Sequence, residues 1–115
     1  MSGQFSTLNY RLALARVGGD EALFREIAQL FLDEYPGLLT SLKQAVADGQ
    51  SESVHQTAHT LKGSLGTLAA EAAYQTALML ETMGRRSDLT GAEAALSALD
   101  DLIARLDAEL RELTW

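Results

Sequence analysis

Leu96-Ser97-Ala98-Leu99-Asp100-Asp101-Leu102-Ile103-Ala104-Arg105-Leu106-Asp107-Ala108-Glu109-Leu110-Arg111-Glu112-Leu113 is the stretch that decides the fold. Leu96, Leu99, Ile103, Leu106, Leu110 and Leu113 recur at steps of 3, 4, 3, 4 and 3. That spacing draws one apolar stripe on a helix. Asp100, Asp101, Arg105, Asp107, Glu109 and Arg111 fall off the stripe and are expected to face water. Thr90 is placed as the N-cap, and Glu93, three residues on, completes a capping box.

Working outward toward the N-terminus, residues 70–84 read as a helix that Gly84 stops. Residues 51–68 read as another, opened by Ser51 after the turn Asp48-Gly49-Gln50. From Asp20 to about Ala47 runs a long apolar-periodic stretch with Leu23, Phe24, Ile27, Phe31, Leu38, Leu42 and Val46 as core candidates. Pro36 lies inside it and is expected to end or kink the helix near Tyr35, because proline removes a backbone donor and crowds the preceding turn. A short helix over residues 7–16 is set apart by Gly18-Gly19, with Asp20 placed to cap the long helix after it. Each long helix is amphipathic and the connections are short, so neighbours should run antiparallel. The expected fold is all-α: an antiparallel four-helix bundle with a short extra N-terminal helix, one domain over residues 1–115.

Composition narrows the function. The chain has no cysteine, which removes disulfides, thiolate metal sites and cysteine nucleophiles, and fits a reducing cytoplasm. No apolar run approaches the roughly 20 residues that a bilayer crossing needs. The start, MSGQFSTLNYR, lacks the basic and apolar stretches of a secretory signal. A net charge of −7 repels nucleic acid and favours partners with basic patches. A cytoplasmic protein with no nucleic-acid or membrane partner is therefore expected.

The chemistry concentrates in Val54-His55-Gln56-Thr57-Ala58-His59-Thr60-Leu61-Lys62-Gly63-Ser64-Leu65-Gly66. At 100° per residue, Val54, Ala58, Leu61, Leu65 and Leu68 make the apolar stripe. His55, His59, Lys62, Gly63 and Gly66 lie on the opposite side, so His59 is expected to face solvent or a partner. A glycine inside a helix costs about 0.5–1 kcal/mol relative to alanine. Two of them beside one histidine read as clearance for another protein's surface, against the plainer reading of a poorly optimised or fraying helix. An ordinary imidazole, with a pKa of about 6.5, is largely neutral at pH 7, so its ring nitrogen is a ready nucleophile. Lys62, one turn away, offers an ammonium to phosphate oxygens. An exposed pair of this kind is worth only about 1 kcal/mol, so Lys62 should assist and not anchor. If helices 51–68 and 70–84 pair about residue 70, His59 lies level with Glu81, each eleven residues from the turn. A carboxylate there would fix the ring's tautomer and orientation. Arg85, level with His55, would border the same surface.

The run Ala58-His59-Thr60-Leu61-Lys62-Gly63-Ser64-Leu65-Gly66-Thr67-Leu68 closely resembles the phosphorylation motif of histidine-containing phosphotransfer (HPt) domains. The likeness extends through Leu14–Glu21, through Phe31–Pro36 to Ala47-Asp48-Gly49, and downstream to Leu80-Glu81, where that family often places a Gln or Glu bonded to the active histidine. The resemblance implies that His59 takes a phosphoryl group from a receiver-domain aspartate and passes it to another. It implies a carrier without catalytic power of its own, with Lys62 stabilising the phosphate and Glu81 orienting His59. The implied partners are response-regulator receiver domains and a hybrid sensor kinase, with His55, Gln56, Gly63, Gly66 and Arg85 bordering the docking face. The chain itself needs no cofactor, since the receiver supplies Mg2+. A monomer is expected, free-standing or the cytoplasmic part of a hybrid kinase. Ala69 departs from the family, which usually has glycine there, and this bears on the turn and not on the chemistry.

Two other readings stand beside this one. His55 and His59, at i and i+4, have a spacing that can hold Zn2+, with Glu52 or Glu81 adding a ligand. However, there are only two histidines, both outward-facing, and the glycines are then unexplained. A docking module that has lost transfer would not need to keep both His59 and Lys62.

Overall fold

Asp20 caps the first long helix by accepting the Leu23 N–H on its side chain at 3.0 Å, and the apolar stripe behind it runs on for seven turns. The computed structural model describes residues 7–113. Among them lie five α-helices and no strand: α1 (Tyr10–Arg16), α2 (Glu21–Ala47), α3 (Ser51–Thr67), α4 (Glu71–Arg85) and α5 (Ala92–Glu112). Helices α2 to α5 form the antiparallel four-helix bundle and α1 is the extra N-terminal helix. Opposed pairs fix the directions. Lys43 reaches Asp100 and Tyr35 reaches Asp107 between α2 and α5, while His59 reaches Glu81 between α3 and α4. Helix α1 lies across the α3–α4 turn, where the Asn9 N–H donates to the Ala69 carbonyl at 3.3 Å. No helix among the described residues is long and apolar enough to cross a membrane.

The stripes read from the sequence form the core. Val54, Ala58, Leu61, Leu65 and Leu68 are fully buried, as are Leu99, Ile103, Leu106 and Leu110, with Leu96 and Leu113 packed at the margin. Each valine, leucine or isoleucine among them contributes about 1.5–3 kcal/mol when removed from water. On α2 the core is broader than expected. Phe24, Phe31 and Leu42 are joined by Ala28, Leu32, Leu39 and Ala45, whereas Leu23 remains 40% exposed.

Helix ends account for most differences. Pro36 does not end the helix, and α2 is continuous through it. Pro36 itself is exposed, and Phe31, Leu32, Leu39 and Leu42 bind both halves to one core. Helix α1 begins at Tyr10 and not at residue 7, because Asn9 caps it by accepting the Leu12 N–H. Thr90 is not the cap of α5 and no capping box forms. Gly91, at φ 82, starts that helix, and the Thr90 N–H is taken by Asp88 Oδ1 at 3.1 Å. Gly84 does not stop α4. It is helical and buried, and a Cβ there would lie 2.5 Å from the His55 backbone nitrogen and 2.7 Å from the Ser51 carbonyl. Gly84 is where α3 and α4 touch backbone to backbone; the chain turns later, at Ser87 with φ 55. Ala69 itself adopts the left-handed conformation, φ 55, in the α3–α4 turn.

Candidate functional site

Because the buried stripe of α3 faces the core, His59 is turned out, and its side chain is 64% exposed. Its partner comes from α4. Glu81 is buried, and its Oε2 lies 2.8 Å from His59 Nδ1. A carboxylate can only accept, so the proton resides on Nδ1 and that N–H donates to Glu81. The second carboxylate oxygen, Oε1, lies 2.8 Å from Lys62 Nζ. Burial pushes the Glu81 carboxyl up, but the bonds from Lys62 and His59 outweigh it and hold it below the usual carboxylate range. The group therefore stays ionised, bracketed by two donors from one helix face.

This differs from the expectation for Lys62. The side chain is only 19% exposed and lies over Glu81 instead of standing free in water, because a buried carboxylate demands a counter-charge. Around this core the remaining candidates scatter. The His55 ring lies parallel to that of His59, within 8° at a centroid separation of 6.5 Å, and its Nδ1 is buried without a partner. Gln56 is exposed and donates its amide to Glu52 Oε2 at 2.9 Å. Gly63 is open, with nothing within 4 Å of where a Cβ would stand. Gly66 is different, since a Cβ there would meet the Tyr74 ring at 3.3 Å, a tight contact that the ring would have to yield to. Arg85 is exposed at the end of α4, and it is Gly84 that lies against His55. Among the described residues no group of three or more His, Cys, Asp or Glu is arranged to hold a metal ion.

Tyr74 and Gly84 were not singled out as site residues from the sequence, yet the signal was present. The register that sets Glu81 against His59 also sets Tyr74 against Gly66, four residues either side of residue 70. Gly84 falls one residue short of the position level with His55 in that register, and it is there that the backbones of α3 and α4 approach.

Chemically, the arrangement leaves one ring nitrogen, Nε2, on the side of the exposed ring away from the Nδ1–Glu81 contact. Among the described residues no helix N-terminus lies close enough to cradle a phosphate there, because His59 sits in mid-helix.

Comparison with known proteins agrees. A family model described as "Hpt domain" matches residues 26–109. No protein of curated function matches the chain. Among solved structures, histidine-containing phosphotransfer protein B (HptB) from Pseudomonas aeruginosa PAO1 superposes with a TM-score of 0.85 at 21% identity, over 95% of both chains. The HPT domain from the Hpt sensor hybrid histidine kinase from Shewanella superposes at 0.84 with 18% identity, over 92% of both chains. At those identities the likeness shows the helical-bundle fold.

Proposed function

Because this chain belongs to the Hpt domain family, we propose that it is a phosphorelay carrier in two-component signalling, with His59 as its phosphorylated residue. The observation that carries the assignment to His59 is the Nδ1–H bond to Glu81, which leaves Nε2 free on an exposed ring. In the transfer, the Nε2 lone pair attacks phosphorus. The bond from phosphorus to the donor aspartate oxygen breaks, and its electron pair returns to that carboxylate. The positive charge that develops on the imidazole is spread toward Nδ1–H, where Glu81 faces it. The reverse steps load the next receiver. Lys62 holds Glu81 in place and stands one turn from the phosphoryl group, able to share its ammonium with a phosphate oxygen.

The chain acts without catalysis of its own and without a cofactor, the receiver supplying Mg2+. Its partners are receiver domains and a hybrid sensor kinase, and it works as a cytoplasmic monomer that binds neither nucleic acid nor membrane. The reading is supported by the exposed His59, and by Gly63, which leaves open space beside it for a partner's surface.

The test is incubation with phosphorylated receiver domains from the same genome, scoring acid-labile, base-stable phosphate. The parent should be labelled, and nuclear magnetic resonance should place the phosphorus on Nε2 of His59. His59→Gln should keep its helicity and take up no label. Labelling of that variant at His55 would overturn the assignment.

A further inference from the structure

One turn before His59, the ring of His55 is half-buried, with its Nδ1 enclosed and without a partner. It lies parallel to the His59 ring, within 8° at a centroid separation of 6.5 Å. We infer that His55 is a second residue of the transfer site, whose Nε2–H donates through one bridging water to an oxygen of the phosphoryl group on His59. The inference rests on the phosphorelay function proposed for His59 and adds a donor to that site.

Orientation is the first argument. His59 turns its Nδ1 edge toward α4, where Glu81 meets it. His55 turns its Nδ1 edge inward as well, at the turn where a Cβ on Gly84 would stand 2.5 Å from the His55 backbone nitrogen. Parallel rings with the same edge inward leave both Nε2 atoms in one outward row along α3. The close backbone approach at Gly84 holds that row in place.

Burial assigns the proton. On Nδ1 of the neutral ring it would be an enclosed N–H without an acceptor, which folded proteins avoid, whereas on Nε2 it is met by water. The charged ring carries a proton on both nitrogens. In either state Nε2 is a donor. Two hydrogen bonds end to end span about 5.5–6 Å, a little less than the 6.5 Å between the rings. A tetrahedral phosphoryl group on His59 Nε2 leans one oxygen toward His55, and a water completes the distance. Lys62, one turn past His59, is already engaged by Glu81 Oε1 at 2.8 Å, so the oxygens on the other side look to His55.

In the transfer, the bond from His59 Nε2 to phosphorus forms as the bond to the leaving group breaks, and the leaving group keeps the electron pair. The charge of the transferring group lies on its oxygens, and a donor already placed beside them lowers the barrier in both directions. His55 gives up no proton.

The experiment compares the parent with His55→Phe, which keeps a ring and removes both nitrogens, and His55→Gln, whose amide can still donate. Phosphoramidate, which needs no docking, should label His55→Phe three- to tenfold more slowly than the parent. A phosphorylated receiver should label it more slowly by a similar factor, and His55→Gln should recover most of the loss with both donors. A second measurement needs no variant: in the 15N-labelled parent, phosphorylation of His59 should shift the His55 Nε2 resonance more than its Nδ1. Loss with the receiver alone would make His55 a docking residue and overturn the inference. Equal rates in all three proteins, or a His55 Nε2 resonance that phosphorylation leaves in place, would overturn it too. If the parent itself takes no label at His59 from either donor, the phosphorelay reading falls, and the role of His55 with it.

Discussion

Glu81 accepts from two donors at once, and removing its charge separates what it does for each. In Glu81→Gln the side-chain carbonyl can still take the His59 Nδ1–H, so the ring keeps its orientation while the ion pair with Lys62 is lost. Labelling by phosphoramidate should then fall by no more than a few-fold. In Glu81→Ala both donors lose their partner, Nδ1 is no longer fixed, and labelling should fall tenfold or more, about 1.4 kcal/mol of lost stabilisation. Initial rates of both variants, compared at equal helicity, check this; equal rates would mean that Glu81 does not orient the ring. That Glu81 lies opposite His59 was legible in the sequence, because an antiparallel hairpin with a short turn has only one register about residue 70. The bond from Lys62 was not. Helical periodicity puts a Cβ on a face, but the four-carbon stem of a lysine can lean either way. What draws it to α4 is a buried charge that periodicity does not encode.

The α3–α4 hairpin is the element that makes the site, and two of its glycines should respond in opposite ways. Gly84→Ala would drive a methyl against the backbone of His55 and Ser51, where no side chain can swing aside. It should destabilise the protein by about 2–3 kcal/mol, as overpacking does, and a urea unfolding midpoint near the parent's would contradict the close approach. Gly63→Gln meets open space and should stabilise α3 by about 0.5–1 kcal/mol through helix propensity. It should nevertheless slow transfer from a receiver while sparing phosphoramidate labelling. Equal loss with both donors would remove clearance as the reason for the glycine. The helices themselves were legible because their buried stripes keep the 3.6-residue period over several turns. Their ends were not. Gly84 fits a helix stop by residue type, and Thr90 with Glu93 fits a capping box, but backbone contact at Gly84 and the left-handed Gly91 override both local preferences. Pro36 does not end α2 for a similar reason, since a core common to both halves of the helix outweighs one missing backbone bond.

At the scale of the whole molecule, titrating groups that tie the helices together should shape stability at both ends of the pH range. On the acid side, burial raises the Asp107 carboxyl, but the bonds from Arg111 and Tyr35 hold it below the usual range, as Lys62 and His59 do for Glu81. A depressed carboxyl stabilises the fold fully above its unfolded pKa, about 3.9 for Asp and 4.3 for Glu, and that contribution is lost as pH falls through the lower folded value. On the alkaline side the link is Tyr35, which joins α2 to α5 by donating its hydroxyl to Asp107. Burial first, and then the bond to Asp107, push the phenol up to about 12. An unfolded tyrosine releases its proton near 10. Between these values the folded chain keeps a proton that the unfolded chain has lost, so the stabilisation is complete below about pH 10 and disappears as pH rises toward 12. Urea midpoints should therefore be level from pH 6 to 9, decline below about pH 4, and decline again above pH 10. Tyr35→Phe should lower the midpoint at neutral pH, because Asp107 loses a donor, and should flatten the alkaline decline relative to the parent. The difference between the two curves isolates Tyr35 from every other group that titrates in that range. If parent and Tyr35→Phe decline in parallel from pH 10 to 12, the hydroxyl does not link α2 to α5 in the way its contact with Asp107 implies.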